Sequence, residues 1–175
     1  MLNVEQTATI AQKSRAIQIT SAGIVIGAVL FAAVIVSIVN WEEVTTDVPL
    51  MTLIGTVTGV SLFMLSFVVP RVAAASSVQA TAHQLAQEKR SVDDGRTLLE
   101  LAQQLTINQI LFAALIEGAI FLNLIVFLLD KSQASLIVVA IGLAILILGF
   151  PTGSRIEKRL VNRMELIKDE MRYIG

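Results

Sequence analysis

Four stretches of the chain carry almost no charge, and they restrict the fold more than any motif does. Residues 16–41, 48–70 and 132–154 contain no Asp, Glu, Lys or Arg, and residues 101–129 contain one, Glu117. These runs are 26, 23, 23 and 29 residues long. A helix needs ~20 apolar residues to cross the ~30 Å hydrocarbon layer of a bilayer. The other 74 residues hold 26 of the 27 charges. A soluble domain mixes charge at ~25% along its length and does not segregate it in this way. The reading is an all-α membrane protein with four transmembrane helices in an antiparallel bundle.

The spans are predicted at about 17–40, 48–70, 106–129 and 134–150, within a single membrane domain covering 1–175. Lys13 and Arg15 precede the first run as they would in a signal peptide. That run exceeds the ~7–15 residues of a signal-peptide core, so it reads as an uncleaved first span.

Basic residues set the orientation. Twelve of the 13 Lys and Arg fall in the N-terminal arm, between spans two and three, or in the tail, and only Lys131 falls elsewhere. The first loop is acidic, with Glu42, Glu43 and Asp47. Positive residues stay inside, which puts both termini in the cytoplasm of a multi-pass inner-membrane protein. Trp41 suits the opposite interface. Pro49 suits a first helical turn, and Pro70 is expected to end or kink span two.

Residues 71–105 are long for a loop but rich in helix formers, including Ala73, Ala74, Ala75, Ala80, Ala82 and Ala86. Val78, Ala82 and Leu85 share one helical face, and Leu98, Leu101, Ala102 and Leu105 share another. A turn signal lies between them at Ser91 to Gly95. This predicts a cytoplasmic helical hairpin with its tip near Asp94. The tail over 154–174 reads as an amphipathic helix. Ser154 and Glu157 form a capping-box pattern, and Ile156, Leu160, Met164, Ile167, Met171 and Ile174 make one apolar stripe. Such a stripe either lies on an anionic membrane surface or packs on the hairpin.

Lipid is as apolar as Leu, so close packing at small residues holds spans together. Each span has a small-xxx-small pair: Gly23 and Gly27, Gly55 and Gly59, Ala114 and Gly118, Ala140 and Ala144. These are the candidate packing positions within the bundle or between copies.

Glu117 is the single charge inside a span. An ionised carboxylate there costs at least ~2.5 kcal/mol, so protonation is the least costly escape. With antiparallel spans two and three, Glu117 is expected level with Gly59, making Thr56, Thr58 and Ser61 its candidate partners. Gln109 and Asn123 add polar groups within ~40° of each other on the same helix. Glu117 with these hydroxyls is a candidate proton or cation site. The alternative is a neutral carboxyl that fixes helix register.

Several chemistries lack their residues. The chain has no Cys and a single His, His83. That removes thiolate metal sites, Cys nucleophiles and His-rich zinc motifs, and no phosphate-binding glycine loop is present. No enzyme, metal or cofactor is expected. A net charge of −1 and few aromatic residues give no basis for nucleic-acid binding. The expected partners are the bilayer itself and a second copy or another membrane protein.

The run QILFAALIEGAIFLNLIVFLL around Glu117 resembles the carboxylate helix of ATP synthase proteolipid (c) subunits over about 21 residues. That resemblance implies an ion-carrying role for Glu117 in an oligomer. It lacks the family's dense glycine repeat in the preceding helix and its short polar loop. Over a longer stretch, LIEGAIFLNLIVFLL with FPTGSRIEKRL resembles the C-terminal half of uncharacterised bacterial four-span membrane proteins. This second resemblance implies a bacterial inner-membrane location and brings no activity. The expected role is a non-enzymatic structural or accessory subunit, with proton or cation translocation through Glu117 as the alternative.

Overall fold

The computed structural model describes residues 4–88 and 95–174, and the expected hairpin tip near Asp94 lies outside them. Five α-helices account for nearly all of it: α1 (Val4–Ile38), α2 (Leu50–Glu88), α3 (Gly95–Asp130), α4 (Gln133–Leu148) and α5 (Gly153–Ile174), with one 3-10 turn at Trp41–Glu43. The fold is all-helical, and no strand occurs among the described residues. Three helices are long and apolar enough to span a membrane, and four if α4 and α5 together form one broken span.

Four boundaries differ from the sequence reading. The polar arm and the first span are one helix, α1. α2 does not end at Pro70 but continues to Glu88. Proline withholds one backbone donor, and the flanking alanines carry the helix onward. The fourth span, expected over 134–150, is a helix of 16 residues. At 1.5 Å per residue it is ~24 Å long, shorter than the hydrocarbon layer. It stops at Gly149, whose N–H bonds to the Ile145 carbonyl at 2.8 Å, just before the proline at 151. The tail helix also starts at Gly153 rather than after Ser154, and the Thr152 carbonyl accepts from Ile156 N at 3.0 Å.

The chain divides into two compact units. One comprises Ser21–Val68 and Leu111–Phe150. Its core joins Ala28, Ala32 and Ile35 of α1 to Phe63 of α2, to Ile116, Ile120, Leu124 and Phe127 of α3, and to Val138, Val139 and Leu146 of α4. α3 is the most enclosed helix: 44% of its apolar window is buried, against 28% in α2 and 22% in α1. Edge-to-face ring pairs add to the packing, with centroids 4.9 Å apart for Phe31 and Phe121 and 5.7 Å for Phe67 and Phe112.

Glycines set the closest approaches in this unit. A Cβ on Gly55 would lie 2.8 Å from Val126 Cγ2. One on Gly59 would lie 2.5 Å from Asn123 Nδ2 and 3.1 Å from Val138 Cγ1. One on Gly142 would lie 2.7 Å from Ile120 Cγ1. Of the four expected small-residue pairs, only Gly55 and Gly59 are packed. Gly23, Gly27, Ala114, Gly118, Ala140 and Ala144 are exposed. The reason is visible in α1, whose buried row Ser21, Ala28, Ala32 and Ile35 lies on a different face from its glycines.

The loops of this unit are fastened to each other. Thr45 N donates to the Lys131 carbonyl and Gln133 N to the Thr45 carbonyl, both at 3.0 Å. Ser132 Oγ donates to the Asp47 carbonyl at 2.6 Å, and Lys131 pairs with Glu43. Lys131 has φ 52°, the left-handed conformation that turns the chain within two residues. Asp130 caps a helix distant in sequence: its Oδ2 accepts from Thr52 N at 2.8 Å and Thr52 Oγ1 at 2.9 Å.

The other unit falls within Met1–Thr20, Val69–Ile110 and Pro151–Gly175. Ala82 and Leu85 of α2, Leu98, Leu101 and Leu105 of α3, and Leu160, Met164 and Ile167 of α5 form its core. The amphipathic stripe of the tail therefore packs on the 71–105 segments instead of facing outward. Arg159 Nη1 donates to Gln109 Oε1 at 3.3 Å.

Arg163 is only 9% exposed, and its Nη1 has no hydrogen-bond partner among the described residues. Burial, and then the neighbouring Arg159 guanidinium, pull its pKa below the usual value. A buried guanidinium nitrogen without a partner is a net cost, and an apolar side chain of similar length removes it. Arg163→Met is expected to raise stability by ~1 kcal/mol, read as a higher thermal midpoint in detergent. A loss of stability would instead mean that the guanidinium makes net favourable contacts in the fold.

Candidate functional site

α3 carries the intramembrane carboxyl, and its helical periodicity decides what surrounds that group. The buried face runs through Ala113, Ile116, Ile120, Asn123, Leu124 and Phe127. The opposite face runs through Ile107, Leu111, Ala114, Gly118, Ile125 and Leu129, all exposed. Glu117 lies at the margin between the two faces and is half-buried. Beside it a Cβ on Gly118 would meet nothing within 4 Å. The small residues Ala114 and Gly118 thus form a narrow place on an otherwise bulky outward face, with the carboxyl at its rim. Glu117 makes no hydrogen bond or ion pair among the described residues.

The expected hydroxyl partners are not brought to Glu117. Gly59 meets Asn123, and Gly55 meets Val126. Gly59 is therefore not level with Glu117, which lies six residues before Asn123, or ~9 Å along the helix. Thr56, Thr58 and Ser61 belong to the level of the asparagine. Thr58 and Ser61 are exposed, and Ser61 Oγ donates to the Val57 carbonyl of its own helix at 2.8 Å. Thr56 Oγ1 is buried and has no partner among the described residues.

The polar centre inside the unit is Asn123, with 0% exposure. Its Nδ2 donates to the Gly55 carbonyl at 3.1 Å and the Ala119 carbonyl at 2.9 Å. A buried amide bound to a backbone carbonyl of a second helix fixes register between them. Asp130 lies seven residues after Asn123, so both share one face of α3. No sequence motif marks this seam of Asn123, Asp130 and Thr52 as a constellation. The seven-residue spacing was the available signal.

Comparison with known protein families, curated proteins and solved structures returns no match.

Proposed function

We propose that this chain is a four-span protein of the bacterial inner membrane and a non-enzymatic structural or accessory subunit that acts through helix packing and partner contacts. In this reading the spans form an antiparallel bundle, and the termini and the 71–105 hairpin are cytoplasmic. The opposed order of the contacts between α2 and α3, with Gly55 on Val126 and Gly59 on Asn123, supports the antiparallel arrangement. The observation that carries the functional reading is the uncovered strip of Ala114 and Gly118 with the half-buried Glu117 at its rim. Lipid chains offer a carboxyl no hydrogen-bond partner, so an outward Glu is unfavourable unless another helix covers it. Small residues let that helix approach closely.

The chain has no Cys, so a single introduced thiol reports without background. Ala114→Cys and Gly118→Cys are expected to cross-link in native membranes to a second copy or to another protein. The buried control Ala119→Cys is expected not to. Equal absence of cross-links at all three positions would overturn the reading.

A second reading rests on the same placement. A half-buried carboxyl at the edge of the outward face is reachable from lipid, as an exchangeable proton or cation site must be. A lipid-soluble carbodiimide attacks the protonated acid. Labelling of Glu117 is then expected to fall as pH rises or as sodium is added. No labelling of the folded protein at any pH would exclude it.

A further inference from the structure

We propose that α2, α3 and α4 enclose a water-binding site lined by Thr56, Asn123 and Ser135. Asn123 and Ser135 are both 0% exposed. Among the described residues, three oxygens on these helices have no protein partner: Thr56 Oγ1, Asn123 Oδ1 and Ser135 Oγ.

Their common level follows from the close contacts around the glycines. A Cβ on Gly59 would touch both Asn123 Nδ2 and Val138 Cγ1. A Cβ on Gly142 would lie 3.0 Å from Phe63 Cζ. Gly59 with Val138 and Phe63 with Gly142 are separated by four residues in each helix, so α2 and α4 advance in the same direction. Thr56 is three residues before Gly59, and Ser135 is three residues before Val138. They therefore share a level one turn back. The Asn123 amide reaches that level, because Nδ2 donates to the carbonyl of Gly55, next to Thr56.

The chemistry selects the ligand. Both donors of Asn123 Nδ2 are committed, to Gly55 and Ala119, so Oδ1 needs a donor from elsewhere. The two hydroxyls need acceptors. A water molecule supplies both: it donates to Oδ1 and accepts from Thr56 or Ser135. Buried waters typically make about three such bonds, and in a membrane no bulk solvent can replace them. A monovalent cation fits the same oxygens less well. The carboxylate on this face, Asp130, is ~10 Å along the helix and bound to Thr52. A charge among neutral oxygens at low dielectric is poorly compensated.

The test is water-edited solid-state NMR on the full chain in lipid bilayers, with asparagine-selective 15N labelling. The Asn123 side-chain signal is assigned by its loss in Asn123→Leu. Early polarisation transfer from water protons to Asn123 Nδ2 is expected, and it should fall severalfold in Thr56→Val combined with Ser135→Ala. Absence of transfer in the wild-type chain would overturn the proposal, as would transfer unchanged in a folded double variant. The wild-type result decides on its own if that variant does not fold. A shift of the Asn123 signal on replacing choline by sodium or potassium would overturn water in favour of a cation.

Discussion

Asp130→Ala is expected to destabilise the protein by ~3 kcal/mol, from two lost charge-assisted bonds and the groups left behind. Thr52 lies in the first turn of α2, where backbone N–H groups have no partner within the helix. Asp130 accepts from both its N–H and its hydroxyl, and Thr52 is 0% exposed. The carboxylate also sits at the positive end of the helix dipole. Alanine removes all of this and leaves two buried donors unpaired. Asp130→Asn keeps the shape and loses the charge, so a smaller loss of ~1 kcal/mol is expected. Lys131→Ala breaks a more exposed ion pair and is expected to cost under ~1 kcal/mol. Unfolding in detergent, by heat or by increasing SDS fraction, measures all three. An Asp130→Ala protein as stable as the parent would mean that the Thr52 donors find another acceptor.

Gly142→Ala is expected to destabilise by ~2 kcal/mol, against the ordinary preference of helices for Ala over Gly by ~1 kcal/mol. The new methyl would sit 2.7 Å from Ile120 Cγ1 and 3.0 Å from Phe63 Cζ. Ile120 is fully buried and Phe63 nearly so, so neither can yield without displacing the core. Gly23→Ala makes the same chemical change where a Cβ meets nothing within 4 Å. It is expected to be neutral or slightly stabilising. Thermal midpoints of the two variants, compared in one detergent, separate close packing from helix propensity. Equal midpoints would contradict the packing around Gly142.

The contrast between those glycines shows what the sequence could and could not convey. Apolar run length is a local property, so the helical character and the membrane-spanning lengths of α1, α2 and α3 were legible. The apolar stripe of α5 was legible for the same reason. Which face of a span is covered is not local. Gly23 and Gly27 satisfy the same spacing rule as Gly55 and Gly59, but lipid and protein are equally apolar, so spacing alone cannot say which pair is inside. Gly142 has no small partner four residues away and gave no signal, although it makes one of the tightest approaches. Glu117 was legible as an anomaly because charge in a span is rare. Its neighbours were not, because the offset between α2 and α3 is set by Asn123 and by loops that the sequence pattern does not register.

The bonds joining the 39–49 loop to the Asp130–Ser132 turn have a consequence for the order of assembly. They link residues 85 to 88 positions apart, and the Thr52–Asp130 bonds beside them span 78. A chain emerging from the ribosome makes α1, α2 and the loop between them long before residue 130 exists. Until then Thr52 has no carboxylate and Thr45 has no strand-like neighbour. The first helical pair is therefore a provisional insertion product, and its loop acquires its final form when α4 begins. Contacts of such long sequence separation form late, and exposed, incompletely paired intermediates are the ones that quality-control proteases remove. A truncation ending before residue 130 would thus be a substrate for degradation in the membrane, even though its first two helices are complete.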